Sequence, residues 1–332
     1  MASWWAVVRR TAFALLALWL VVTGAFVLLA TTDDPNEALV RQAAAMEVAD
    51  GTMDEDEVEV HVEQAVEAYR EQRGYDLPLH ERYFEWLSGI ATFQWGLSES
   101  TGQPVTDVLG ERLAVTATYV FPGLALALVG GVALGTYGAL GRNQLLSRLS
   151  IIATYTIYGV PNFWIAAVAL AIVPLQFGIV LTGYDLERSL VSSYNLQRVA
   201  LPALILGTGL IAGQAQHVRA ELLERESRPY VRTARAGGLS EWRVSYHVLR
   251  VAAVPLLSLT LSKLFGVLLV NVFVLEYVFE LPGFGLVTYN AILRRDLPLV
   301  MGATLIIAIV GIVATYVQDL AAGALDPRVD LE

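Results

Sequence analysis

Six stretches of this chain are almost free of charge, and each is long enough to cross a lipid bilayer. They are Thr11–Thr32, Leu113–Gly141, Leu149–Tyr184, Val199–Val218, Val251–Leu275 and Leu297–Gln318. None contains an acid, and their one lysine or arginine is Lys263. About 20 apolar residues are needed to span the hydrocarbon core, where every backbone amide must find its partner inside the segment. With 55% of 332 residues hydrophobic, the windows predict an all-α membrane protein with six transmembrane helices. The third window has room for one span plus a re-entrant or loop segment. The first follows Arg9-Arg10, as a signal peptide would, but it exceeds the usual apolar run of about 7–15 residues. No clean small-x-small cleavage site precedes the acidic segment, so an uncleaved span is expected.

Arginine placement sets the orientation. Arg9 and Arg10 precede the first span, Arg142 and Arg148 lie between the second and third, and Arg328 follows the sixth. Seven arginines, Arg219 to Arg250, lie between the fourth and fifth. Alternating spans put all four regions on one side, expected to be cytoplasmic, with both termini. Arg294 and Arg295, in an outer loop, are a mild exception. The expected organisation is an N-terminal span over 1–32 and an acidic extracytoplasmic segment over 33–110. A membrane core over 111–325 with a cytoplasmic loop at 219–250 follows, then a tail over 326–332.

Net charge is −10, concentrated outside. Residues 31–110 hold 18 of the 32 acids and four basic residues, Arg41, Arg70, Arg73 and Arg82. An acidic, lysine-poor exposed segment suits high salt. Within it Val58, Val62, Ala65, Val66 and Tyr69 recur at helical spacing, predicting an amphipathic helix ended by Gly74. Tyr83, Phe84, Trp86, Phe93 and Trp95 then suit an interfacial segment leading into the second span.

Several chemistries are excluded by residue type. Cysteine is absent and the four histidines, His61, His80, His217 and His247, show no metal-ligand spacing. Windows without acids do not suit an ion-driven secondary transporter. Gly-x-Ser-x-Gly and His-Glu-x-x-His are both missing from them, which argues against an intramembrane protease. A scaffold would leave the long basic loop unexplained.

That loop holds "YVRTARAGGL", residues 230–239. Pro229 suits a helix N-terminus, and Tyr230–Ala236 can make about two turns before Gly237-Gly238 stop it. Arg232 and Arg235 would lie on one side, with Tyr230, Thr233, Ala234 and Gly237 forming a small, flat one. Ser240 is a candidate cap for the next helix. The basic residues suit either anionic lipid headgroups or a protein that approaches the small face.

At these residues the chain resembles a permease subunit of the ATP-binding-cassette importers, in the dipeptide/oligopeptide branch. Tyr230, Val231, Arg232, Thr233, Ala234, Arg235, Ala236, Gly238 and Leu239 match that branch's cytoplasmic-loop motif. Gly237 stands where the family usually has lysine. Ahead of the second span, Tyr83, Trp86, Leu87, Gly96, Ser98, Thr101, Gly102, Pro104, Val105, Glu111, Arg112 and Leu113 match a second motif. "GVPNFW" at 159–164 is similar to a third. Glu276, Phe279, Pro282, Gly283 and Gly285 fit the outer-loop pattern Glu-x-x-Phe-x-x-Pro-Gly-x-Gly. "ILRRDLPLVMG" and "LDPRV" resemble the last loop and the tail. The likeness covers roughly residues 70–332, and the long outer segment after the first span favours the first permease of the pair.

The resemblance implies a type I importer permease fold in the cell membrane. It implies a dimer with a second, related permease, two ATPase subunits below, and an extracytoplasmic solute-binding protein that delivers the solute. It makes Tyr230–Leu239 the coupling helix against an ATPase. No cofactor is expected on this chain, which has no Walker-type glycine run; ATP and magnesium belong to the ATPases. No enzymatic activity and no nucleic-acid partner are expected. The solute class stays open among dipeptides, longer peptides, nickel chelates and oligosaccharides.

Three further residues are candidates for a path or gate. Lys263, deep in the fifth window, costs at least about 2.5–3.5 kcal/mol if it faces lipid, so it lines a water-filled path or sits in a buried pair. Asn271 and Glu276 lie further out, Glu276 as a gate or docking residue or an interfacial carboxylate. Gly130, Gly131, Gly135, Gly138 and Gly141 have spacings for close helix packing. Pro122, Pro161 and Pro174 mark expected kinks.

Overall fold

A computed structural model of the chain describes residues 4–31, 34–48, 55–72, 74–140, 144–226, 228–240, 243–244, 246–250 and 270–325. Their regular elements are helices: α1 Trp4–Thr31, α2 Pro35–Glu47, α3 Glu55–Gln72, α4 Leu79–Ala91, α5 Val105–Leu140 and α6 Gln144–Gly159. There follow α7 Asn162–Phe177, α8 Ser193–Glu226, α9 Pro229–Ala236, α10 Val270–Phe279, α11 Phe284–Arg294 and α12 Leu297–Leu325. Among the described residues α1, α5, α8 and α12 are long and apolar enough to span a membrane. The pair α10 and α11, bent by 86°, makes a fifth if it counts as one broken span. Most of the fifth window, and Lys263 with it, lies outside the described residues.

The third window, expected to hold one span plus a re-entrant or loop segment, contains no single long helix. Val160-Pro161 divides it into two 16-residue helices, α6 and α7. Pro161 precedes α7 in extended backbone and so starts a helix rather than kinking one. Pro122 in α5 and Pro174 in α7 do lie inside helices. α5 begins at Val105, ahead of its charge-free window, and carries Asp107, Glu111 and Arg112 in its first turns.

The core is the α5–α8 pair, and its closeness follows from glycine. A Cβ at Gly131 would come within 2.5 Å of Gln214 Cβ, one at Gly135 within 2.6 Å of the Ala215 carbonyl, and one at Gly207 within 2.8 Å of Leu126 Cδ2. Gly123 faces Ala203 and Gly138 faces Arg219, so α5 and α8 run parallel. α12 is parallel to them, because Gly302, near its start, packs on Val105 and Leu109 near the start of α5. α1 is antiparallel: Arg10 Nη1 meets Asp319 Oδ2 at 2.6 Å, and the Thr11 and Tyr316 hydroxyls lie 2.9 Å apart. The start of α1 and the ends of α5, α8 and α12 thus share one end of the bundle.

Around the opposite end lie α2, α3 and α4. The helix expected from Val58 to Tyr69 is α3, and Gly74 follows it at φ 66°. Ala44 on α2 and Val62 and Val66 on α3 are buried. Arg70 holds Glu37 through two hydrogen bonds, and Asp34 accepts from the Tyr69 and Tyr75 hydroxyls at 2.7 and 2.9 Å. The exposed ion pairs add little stability each; the buried seam carries the hairpin. On α4, Tyr83 packs edge-on against Phe26 of α1, and Trp86 Nε1 donates to the Val22 carbonyl.

Candidate functional site

α9 hangs from the end of α8. Arg228 caps its start in extended backbone, and Pro229 takes the first helical position, where a missing N–H costs nothing. Its end is a Schellman turn: the Gly238 amide donates to the Arg235 carbonyl at 3.0 Å and the Leu239 amide to Ala234 at 3.2 Å. Gly238 has φ 78°, the left-handed conformation that glycine adopts without strain. Gly237 is at φ −76°, which any residue adopts, so one glycine makes the stop and not two.

Val231 anchors the helix. It is buried with Val218 and Leu222 of α8 and with Val244 and Val248, while Ala234 and Leu239 pack alongside. The exposed surface comprises Tyr230, Arg232, Thr233, Ala236, Gly237 and Gly238, and Arg235 is half-buried. The expected small face is therefore divided: Ala234 turns inward beside Val231, and the accessible small residues are Thr233, Ala236 and the two glycines. Val244 N donates to the Ser240 carbonyl, so helical backbone resumes there.

Asn271 is tied rather than free. Asn162, the first residue of α7, donates from Nδ2 to Asn271 Oδ1 at 2.9 Å. A Cβ at Gly209 of α8 would come within 2.6 Å of Asn162 Oδ1. The amide pair joins α7 to α10, and glycine on α8 leaves room for it.

Glu276 is fully buried within the chain. Thr116 and Tyr119 of α5 donate to its Oε1. Its Oε2 accepts from the Leu286 amide at 2.9 Å, in the first turn of α11. Thr116 Oγ1 also accepts from the Phe284 amide at 2.9 Å. A carboxyl oxygen beside the unpaired amides of a helix start satisfies one of them. A Cβ at Gly283 would fall on this carboxylate, and one at Gly285 within 2.8 Å of Phe273 Cα. The glycines of the outer-loop pattern make space for the glutamate of the same pattern.

A second buried carboxylate was missed in the sequence. Asp296 precedes α12, accepts from the Leu299 amide, and receives the Ser98 hydroxyl at 2.6 Å and the Ser100 hydroxyl and amide at 2.7 and 3.0 Å. Burial pushes its carboxyl up, but these donors outweigh burial and hold it below its ordinary value. Ser98 belongs to a motif and Asp296 to "RRDLP", yet 198 residues separate them. Among the described residues no cluster of His, Asp or Glu could hold a metal ion.

Residues 131–331 match the family described as the binding-protein-dependent transport system inner membrane component. The chain belongs to this family. It is 34% identical over 321 residues to a Brucella suis biovar 1 (strain 1330) protein bearing the name peptide permease, covering 95% of this chain and 94% of that one. It is 30% identical over 267 residues to the glutathione transport system permease protein GsiC of Escherichia coli (strain K12), covering 80% and 84%. The chain is thus a multi-pass membrane transport component of the peptide-type importers.

Proposed function

We propose that this chain is one of two related permeases in an ATP-driven importer of peptides or related small solutes. Its α9 would sit in a cleft of a cytoplasmic ATPase, and an extracytoplasmic binding protein would deliver the solute to the other end. The observation that carries the reading is the build of α9: a two-turn helix anchored by one buried valine, stopped by Gly238, with Tyr230, Arg232, Thr233 and Ala236 offered outward. Parallel α5, α8 and α12 with antiparallel α1 agree with the alternation of six spans. The end that bears α9 carries Arg9, Arg10, Arg219, Arg225, Arg228, Arg232 and Arg235, the positive bias of a cytoplasmic end.

Coupling then follows from linkage. ATP closes the ATPase pair, the two coupling helices move together, and the permeases shift toward the outward-facing state. Only a difference in ATP affinity between the two states can drive that shift. Hydrolysis resets the inward state. In this reading the chain supplies the solute path and the lever, and the ATPases hold ATP and magnesium.

The test is Arg232→Glu combined with Ala236→Trp, two exposed positions whose change leaves Val231 seated. Assembly with the second permease should persist, while ATPase subunits dissociate on purification or lose stimulation by the loaded binding protein. Undiminished stimulation would sink the assignment.

A further inference from the structure

We propose that Glu276 and Asp296 are positioning residues for transport: they brace the two ends of α11 so that it moves with α5 as one body. α11 has 11 residues and turns 86° from α10. So short a helix does not hold its own place; its neighbours must fix it.

At its first turn, Glu276 holds the Leu286 amide, and Thr116 holds the Phe284 amide and donates to Glu276. Arg112 Nη1 also reaches the Pro282 carbonyl at 3.3 Å. Thr116 and Arg112 both lie on α5. At the far end, Arg295 turns the chain at φ 56°, and the Asp296 amide closes onto Ala291 at 2.9 Å. The Asp296 carboxylate then grips Ser98 and Ser100. That turn is tied to the start of α5 by the Val105 amide on the Gly96 carbonyl at 3.0 Å. Between the two braces, Phe284 and Ala291 are buried with Val105, Val108 and Leu109 of α5. Sliding α11 along α5 would pull the Leu286 amide off Glu276, the Phe284 amide off Thr116 and Asp296 off Ser98 and Ser100, and buried polar groups left without partners cost more than the bonds themselves are worth.

The braces extend the glycine-packed pair. α11 is pinned to α5, α5 is seated on α8, and α8 carries α9. Motion imposed at α9 therefore arrives at the opposite end as motion of α11. There α11 presents Tyr289, Ile292 and Leu293 on its exposed side, with Tyr277 edge-on to Tyr289 at 5.2 Å. The bracing concerns this chain alone; its consequence for transport rests on the importer reading above.

The chain has no cysteine, so, with any partner cysteines replaced, a nitroxide pair can be placed at Glu111→Cys and Ile292→Cys in the assembled complex in lipid nanodiscs. Pulsed electron resonance should give one narrow distance, the same with and without ATP·Mg. Glu276→Ala and Asp296→Ala should each at least double its width. Thr116→Val, which keeps shape and the Glu276 carboxyl but removes the two bonds of the Thr116 hydroxyl, should broaden it less. A broad distance in the unaltered braces, a shift on adding ATP·Mg, or no broadening in Glu276→Ala and Thr116→Val would overturn the proposal. If ATP·Mg moves no labelled pair, including one from α9 to the second permease, the importer reading fails. The nucleotide-free width still decides on the braces.

Discussion

Gly237 and Gly238 stand side by side at φ −76° and 78°, and the difference predicts opposite responses to substitution. A Cβ at Gly237 meets its neighbours at ordinary contact distance. Gly237→Lys, the residue usual in the family, should leave stability unchanged or raise it by a few tenths of a kcal/mol through helix propensity. Gly238→Ala meets no atom yet should cost about 1–2 kcal/mol, because an L-residue resists the left-handed region. Thermal unfolding of the two variants checks this. Asp296 supplies the pH response. Its folded carboxyl is held low, so it stabilises the 96–104 turn above its unfolded value of about 3.9 and loses that contribution as pH falls through the lower folded value. Amide protection at Ser98–Thr101, corrected for intrinsic exchange, should be flat from pH 7 to about 5 and fall below about 4. In Asp296→Asn it should be weaker throughout, with that step absent; an unchanged step would assign it elsewhere.

At the scale of elements, the α5–α8 contact is the most demanding feature. Gly135→Ala puts a methyl group against the Ala215 carbonyl and Val218, and overpacking of this kind costs about 1–3 kcal/mol. Faster loss of structure in denaturing detergent should report it, whereas Gly24→Ala, where a Cβ meets nothing, should be neutral or slightly stabilising through helix propensity. Asn162→Leu should weaken the α7–α10 tie by about 0.6–2 kcal/mol in the same assay. The long helices α1, α5, α8 and α12 were legible because charge-free windows report directly on the cost of leaving water. The Schellman stop was legible from the glycine pair, though only geometry shows which glycine makes it. The Glu276 and Asp296 networks were not, since their partners lie up to 198 residues away and local spacing carries no trace of them. The break at Pro161 was read as a kink because proline ends and begins helices with the same residue.

For the whole molecule, the parallel course of α5, α8 and α12 and the reverse course of α1 define two ends, one basic and bearing α9, the other bearing the braced α11 and the acidic hairpin. In the proposed importer the first faces the ATPases and the second the arriving solute. The exposure of Ala236 and Leu293 at opposite ends makes a direct test simple. A photo-crosslinking amino acid is placed at position 236 or at position 293 of the chain in its native complex, and the products are identified. Position 236 should capture an ATPase subunit, with a yield that changes on adding ATP·Mg, and position 293 should capture none. Capture of the ATPase from position 293, or of lipid alone from position 236 in an intact complex, would contradict the importer reading.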